Sequence, residues 1–199
     1  MTIEPRVAEH PIDPAFLSRW SPRAFDGSAL APTELLPLFE AARWAPSSFN
    51  VQPWRFLYAV SGGPDWETFV GFLLPFNQVW ARRAGALVLV LSDTMMTPPQ
   101  GGEPKPSHSH SFDAGSAWAL LALQAQAQGL YTHGMTGVDF DAARAGLSVP
   151  DRFRIEAMIA IGRIGDPEVL PEQLRVREAP SPRRPIATSI AAGAFPRGW

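Results

Sequence analysis

A domain of helices packed on a buried β-sheet is what the sequence predicts, and three observations predict it. Three short, almost wholly apolar runs, Trp54 to Val60, Ala86 to Leu91 and Ile155 to Ile161, are bounded by turn residues, as strands covered on both faces are. Pro32 to Trp44 carries Leu35, Leu36, Leu38, Phe39 and Ala42 at helical spacing. Ser111 to Gln128 is rich in Ala and Leu and ends at Gly129, in the position of a helix C-terminal cap.

Taken in chain order, the Pro32 helix has Pro37 inside its pattern, which predicts a late start or a disturbed first turn, because proline cannot donate to the carbonyl four residues back. Pro46 closes it. Ser92 to His110, dense in Pro, Gly and Ser, has no periodicity and predicts a long mobile loop. The helix that follows is apolar all round, which predicts burial on more than one side, either in a central packing role or at a subunit interface. Beyond Asp166 the prolines at 167, 171, 180, 182 and 185 rule out a long helix and predict an extended tail over residues 166–199, on a surface that could belong to a partner subunit.

Composition narrows the function. The 199 residues, 46% of them hydrophobic, suit a single domain with one core. The formal charge is -2, with no Lys/Arg run, so nucleic acid and anionic lipid are not expected partners. With no cysteine, thiolate chemistry, disulfides and iron–sulfur clusters are excluded, and redox chemistry would need a bound cofactor. Met1 to Pro14, with Glu4, Arg6, Glu9, His10 and Asp13 and no apolar core, does not read as a signal peptide, and no apolar run reaches spanning length; a cytoplasmic protein is expected.

Four groups of residues carry candidate chemistry. Arg19, Trp20, Ser21 and Arg23 put two guanidinium groups and a hydroxyl within five residues, a set suited to phosphate and to charge on a reduced flavin, although alone it also fits a solvated turn. Pro46, Ser47, Ser48 and Asn50 form a donor-rich connection that composition alone reads as an ordinary helix-to-strand turn. Gly129 to Asp139 reads as a loop whose three glycines would let backbone approach a flat ligand, with His133 more often structural than catalytic in such a setting. Ser107 to His110 lacks a third nearby metal ligand and reads as a solvated loop, so no metal site is expected. There is neither a Gly-x-Gly-x-x-Gly after a strand nor a P-loop, so nicotinamide would be used without a Rossmann domain.

In this order the residues resemble the nitroreductase family of flavin enzymes, from about Phe16 to Ile190. The resemblance rests on Arg19, Ser21, Arg23 and Phe25, followed by Glu40, Arg43, Ala45, Pro46, Ser47, Ser48, Asn50, Gln52, Pro53 and Trp54. It implies an α+β fold with a mixed central sheet flanked by helices, and an intertwined homodimer with the Ser111 helix at its interface. It implies bound FMN, reduced by NADH or NADPH in a two-step exchange, with a small organic acceptor such as a nitroaromatic or quinone. No side chain is needed as an acid or base, because the flavin performs the chemistry.

The resemblance also assigns residues. Arg19 through Arg23 would contact the phosphate and the pyrimidine side of the flavin, and Pro46 through Asn50 would reach it from the other subunit. Asn77 would bond the ring edge, the Gly137 amide would address N5, and Arg183 or Arg184 would close on the phosphate. Trp80 stands where some members carry a lysine, which leaves Arg23 as the main cation at the pyrimidine edge with Arg82 or Arg83 as substitutes; Thr136 stands where a glutamate occurs. Reactions differ within the family, so a flavin-dependent reductase or dehydrogenase of one dedicated metabolite remains an alternative, as does a flavin-binding protein that does not turn over.

Overall fold

In a computed structural model, which describes residues 6–197, the elements run α1 (Pro14–Ser18), α2 (Pro32–Arg43), β1 (Trp54–Val60), α3 (Trp66–Gly71), α4 (Pro75–Ala81), β2 (Ala86–Asp93), β3 (Met95–Met96), β4 (Lys105–Pro106), α5 (His110–Ala127), β5 (Tyr131–Met135), α6 (Phe140–Gly146), β6 (Phe153–Gly162) and α7 (Glu172–Arg175). Glu4 and the rest of the first five positions, whose polarity argued against a leader, and the last two tail positions lie outside the described residues.

The main sheet has the order β1-β2-β6-β5 and every neighbouring pair is antiparallel, where a mixed sheet was expected. Burial on both faces, expected of all three apolar runs, holds for β2 but not for the edge strand β1, where Leu57 and Tyr58 are exposed; and burial does not fix strand direction. All eight residues of β2 are buried. Leu87, Leu89 and Leu91 face a layer with Phe69 of α3, Trp80 of α4 and Leu73 between the two, whereas Val88 and Val90 face Leu35, Leu38 and Leu121 from α2 and α5. The result is a sheet between two helical layers. A bulge beside Val90 and Leu91 interrupts the pairing to β6, which shifts Glu156 out of register.

Helix α2 starts at Pro32 and continues through Pro37, so the late start does not occur. The Glu34 carboxylate accepts from the Ala31 backbone N–H at 3.0 Å and secures the first turn, while Pro37 costs the helix a single donor. At the other end of α5, Gly129 (φ +73°) terminates the helix: Leu130 N–H donates to Ala125 O and Gly129 N–H to Gln126 O, a Schellman arrangement. The buried face of α5 is largely alanine (Ala114, Ala117, Ala122, Ala125), which lets the helix lie close to the sheet, while Phe112 on the opposite side is 80% exposed.

Three segments differ from expectation. Tyr131–Met135, expected as a glycine loop, pairs with β6 from Gly162 to Met158. Ser92 to His110 contains the β3–β4 hairpin, and its ends are tied: Ser107 N–H donates to Thr94 O, and His110 Nδ1 lies 2.7 Å from Ser92 Oγ. His110 and Ser107 are therefore structural rather than solvated, since Glu156, re-aimed by the bulge, accepts from Ser92 and Ser111 and Ser107 is buried. The tail is short-helical at Pro167–Val169, α7 and Ile186–Thr188, and otherwise irregular. Its later part bonds the N-terminal segment, with Arg6 Nε donating to Ser181 O and the Ile186 N–H to Glu9 Oε1.

Candidate functional site

The Arg19–Phe25 segment leaves α1 and lies against the end of the sheet. Phe25, fully buried, bridges Ile164, and the Gly165 N–H donates to Ala24 O at 2.8 Å. A Cβ on Gly165 would sit 2.6 Å from the Phe25 carbonyl, so only glycine permits this approach. The Glu178 Oε1 accepts the backbone N–H groups of Arg23 (2.7 Å) and Ala24 (2.8 Å). Below, Phe25 stacks on Trp80 (6.3 Å), which packs against His133 (4.6 Å), and the Arg23 guanidinium lies over the Trp80 ring at 5.9 Å.

Above this column opens a cavity of ≈ 340 Å³ into which five arginines converge: Arg6, Arg19, Arg23, Arg177 and Arg183. Trp20, Ser21 and His133 complete much of the wall, and among the described residues no carboxylate lines it. Burial pushes the Arg19 guanidinium down, and the like charge of Arg183 adds to it. Arg6 is lowered by burial and then by Arg183 and Arg19. Arg23 is lowered by burial, with Glu178 favouring its cation and Arg177 opposing it, and its Nε is buried without a hydrogen-bond partner. Crowded, desolvated cations facing one cavity are relieved by a multiply charged anion, and guanidinium groups match phosphate geometry.

Among the described residues Arg19 Nη1 reaches only Ser21 Oγ, at 3.4 Å, whereas Arg6 donates to the backbone at Leu17 O, Arg19 O and Ser181 O. Of the C-terminal pair, Arg183 faces the cavity; Arg184 lines a neighbouring one of ≈ 620 Å³ between the N-terminal segment and the tail, which Arg183 shares. His133 is partly buried, and burial, assisted by the Arg23 cation, pushes its pKa down to about 4 against the hydrogen bonds to the Pro22 and Ser21 carbonyls. It is neutral at pH 7, with its Nδ1 proton committed to Pro22 O at 2.9 Å.

The other candidate residues form two further groups, neither lining this cavity. Asn77, buried on α4, donates from Nδ2 to Gly137 O at 3.1 Å, and Gly137 O also accepts from Leu74 N–H. A Cβ at Gly137 would collide with that amide nitrogen, so the glycine is needed to keep Asn77 in place; Thr136 is exposed beside it. Pro46, Ser47, Ser48 and Asn50 sit at a 3-10 turn in which Phe49 (φ 51°), Asn50 (φ 56°) and Gln52 (φ 51°) are left-handed. Ser47 Oγ accepts from Gln52 N–H, and the buried Asp113 carboxylate of α5 accepts from Ser48 N–H (3.1 Å) and Ser109 Oγ (2.9 Å). Arg83 is no substitute cation, because its guanidinium is bonded to the Phe25 and Asp26 carbonyls, and neither it nor Arg82 lines the cavity.

Arg6, Arg177, Glu178 and Asp113 were not singled out from sequence. Arg177 and Glu178 precede the Ser-Pro-Arg-Arg-Pro segment closely enough to have drawn notice, whereas nothing local distinguishes Arg6.

Fold and site define an α+β protein with an antiparallel sheet between helical layers and an arginine-lined cavity at one sheet end. The nitroreductase family profile matches residues 17–63 and 66–163, and the chain belongs to that family. The matched span stops before Arg183 and Arg184. Likeness to solved structures continues into the tail: a crystal structure described as an oxidoreductase containing FMN is 47% identical, with TM-score 0.93 over 98% of this chain and 99% of that one. A Desulfovibrio desulfuricans protein provisionally described as a nitroreductase, in complex with FMN, is 25% identical at TM-score 0.70, covering 95% of this chain and 100% of that one. A Bacillus subtilis strain 168 protein provisionally named NAD(P)H nitroreductase YdgI is 36% identical over 76 residues, 38% of this chain and 35% of its own length.

Proposed function

We propose that this chain is an FMN-dependent oxidoreductase that works as a cytoplasmic homodimer, taking electrons from NADH or NADPH and passing them to a small organic acceptor such as a nitroaromatic or a quinone. The observation that carries the reading is the cavity in which Arg19, Arg23 and Arg183 meet, with Arg19 lowered by burial and by Arg183, Arg23 lowered by burial and by Arg177, and Arg23 Nε buried without a hydrogen-bond partner among the described residues. FMN fits that donor set: a phosphate dianion for Arg19 and Arg183, and a pyrimidine edge that gains negative charge on reduction for Arg23. The FMN content of the 47%-identical relative supports the cofactor, and the nicotinamide donor rests on the name of the Bacillus protein.

When bound, FMN supplies the two-electron exchange between donor and acceptor. The chain's own residues bind and orient. Arg19 and Arg183 hold the phosphate; Trp80, in place of a cation, backs Arg23 from below; Gly137 locks Asn77. In this dimer the Pro46–Asn50 turn would reach the partner's site, and the exposed apolar side chains of Trp44 (71%), Phe49 (69%) and, on α5, Phe112 would be surface for a second copy to cover. His133, neutral and already donating to Pro22, is not a proton source at pH 7.

The test is the absorption spectrum of the purified protein, followed anaerobically as NADH and then NADPH are added. Bound flavin that bleaches supports the reductase reading. Flavin that stays oxidised with both donors would refute nicotinamide dependence, and a protein that takes up no FMN would refute the whole proposal. Arg19→Ala with Arg183→Ala is expected to weaken FMN binding by on the order of a hundredfold, from two charge-assisted contacts of roughly 1.5 kcal/mol each.

A further inference from the structure

Glu178 follows Arg177 in the segment after α7, yet the two side chains go to different places. Arg177 lines the cavity, while Glu178 turns back beneath it to the amides of Arg23 and Ala24, more than 150 residues away in sequence. A single oxygen, Oε1, accepts both N–H groups at 2.7 and 2.8 Å. Among the described residues, the second oxygen, Oε2, is buried and makes no hydrogen bond, and neither does the buried Nε of Arg23. A carboxylate of which half is left unspent in a buried setting is costly unless its charge is used. Its charge acts on Arg23, the residue whose backbone it grips: this carboxylate favours the Arg23 cation against burial and Arg177.

We propose, resting on the FMN reading above, that Glu178 is the positioning residue for Arg23: Oε1 fixes the Arg23 backbone and the carboxylate charge offsets part of the guanidinium, so that Glu178 sets how strongly the site favours reduced over oxidised FMN. The two halves of this role separate by substitution. Glu178→Gln keeps a carbonyl oxygen for the two amides and removes the charge. Glu178→Ala removes both, leaving two N–H groups without their acceptor.

The experiment is a redox titration of FMN-saturated wild type, Glu178→Gln, Arg23→Gln and the double variant, with oxidised-FMN dissociation constants measured alongside. Glu178→Gln should bind oxidised FMN like wild type and raise the flavin midpoint potential, because a less neutralised Arg23 holds the reduced, more negative flavin several-fold more tightly. That rise should vanish in the Arg23→Gln background. An unchanged potential in Glu178→Gln would overturn the proposal, as would an equal rise with and without Arg23, which would make Glu178 a charge acting on its own. Glu178→Ala should weaken oxidised FMN by on the order of tenfold; wild-type affinity there would overturn the anchoring half. If that variant does not fold, the Gln titration decides alone. Wild type that binds no FMN would sink the FMN reading and this proposal together, whereas FMN-loaded wild type with an indistinguishable Glu178→Gln sinks only this one.

Discussion

Acid should weaken this fold through His133, and the effect can be isolated. The ring is wedged between Trp80 and the Pro22 carbonyl beside the Arg23 cation, and its pKa is pushed from the ordinary 6.5 down to about 4, chiefly by burial. Unfolded chains therefore bind a proton at His133 before folded ones do. The stability tied to the neutral ring is intact above about pH 6.5, is lost as pH falls toward 4, and changes little further below that. At roughly 1.4 kcal/mol per pH unit, that interval is worth about 3 kcal/mol. His133→Asn keeps a donor near the Nδ1 position and removes the titration. Urea unfolding of both proteins at pH 7, 6, 5 and 4, with linear extrapolation, gives the difference directly, since other titrating groups are common to both. Wild type should lose about 3 kcal/mol more than His133→Asn between pH 7 and 4; parallel pH profiles would refute the burial argument.

Three further outcomes are expected. Gly165→Ala should destabilise by about 2–3 kcal/mol in urea melts, because its Cβ meets the Phe25 and Asp26 backbone, which cannot rotate aside. Asp113→Ala should cost about 2 kcal/mol by leaving Ser48 N–H and Ser109 Oγ without their acceptor, and Asp113→Asn should recover most of it; equal losses would show that charge, not hydrogen bonding, matters there. Gly137→Ala should leave the urea midpoint close to wild type yet reduce FMN uptake, measured by fluorescence titration, because it pushes Asn77 out of place.

The strongest sequence signals were those with a local period or a local cap. Trp54–Val60 is strand β1 at the same bounds, and Gly129 ends α5 as its position foretold. The Arg19–Arg23 cluster does converge with Arg183 on one cavity, a grouping that the resemblance supplied and composition did not. Strand β5 was hidden because Tyr131–Met135 includes Gly134 and the polar His133 and Thr132, which mask its alternation; Thr132 is nonetheless buried. Strand direction was not legible, since apolar runs look alike either way. Glu178 and Asp113 act on amides 155 and 65 residues away, and such long-range pairings leave no trace in local spacing.

The turn at Ser47–Gln52 has a consequence for how a ligand would be met. Three consecutive or near-consecutive left-handed residues other than glycine, one of them an exposed phenylalanine, carry a conformational cost of about 1–3 kcal/mol apiece. The Asp113 and Ser47 bonds that hold that conformation are made within the chain itself. The expense is thus charged to folding rather than to association: a molecule arriving at this turn finds a rigid template and gives up little affinity to ordering it. Relaxing the template, for example with glycine at Phe49, would make the protein easier to fold and the turn a poorer host.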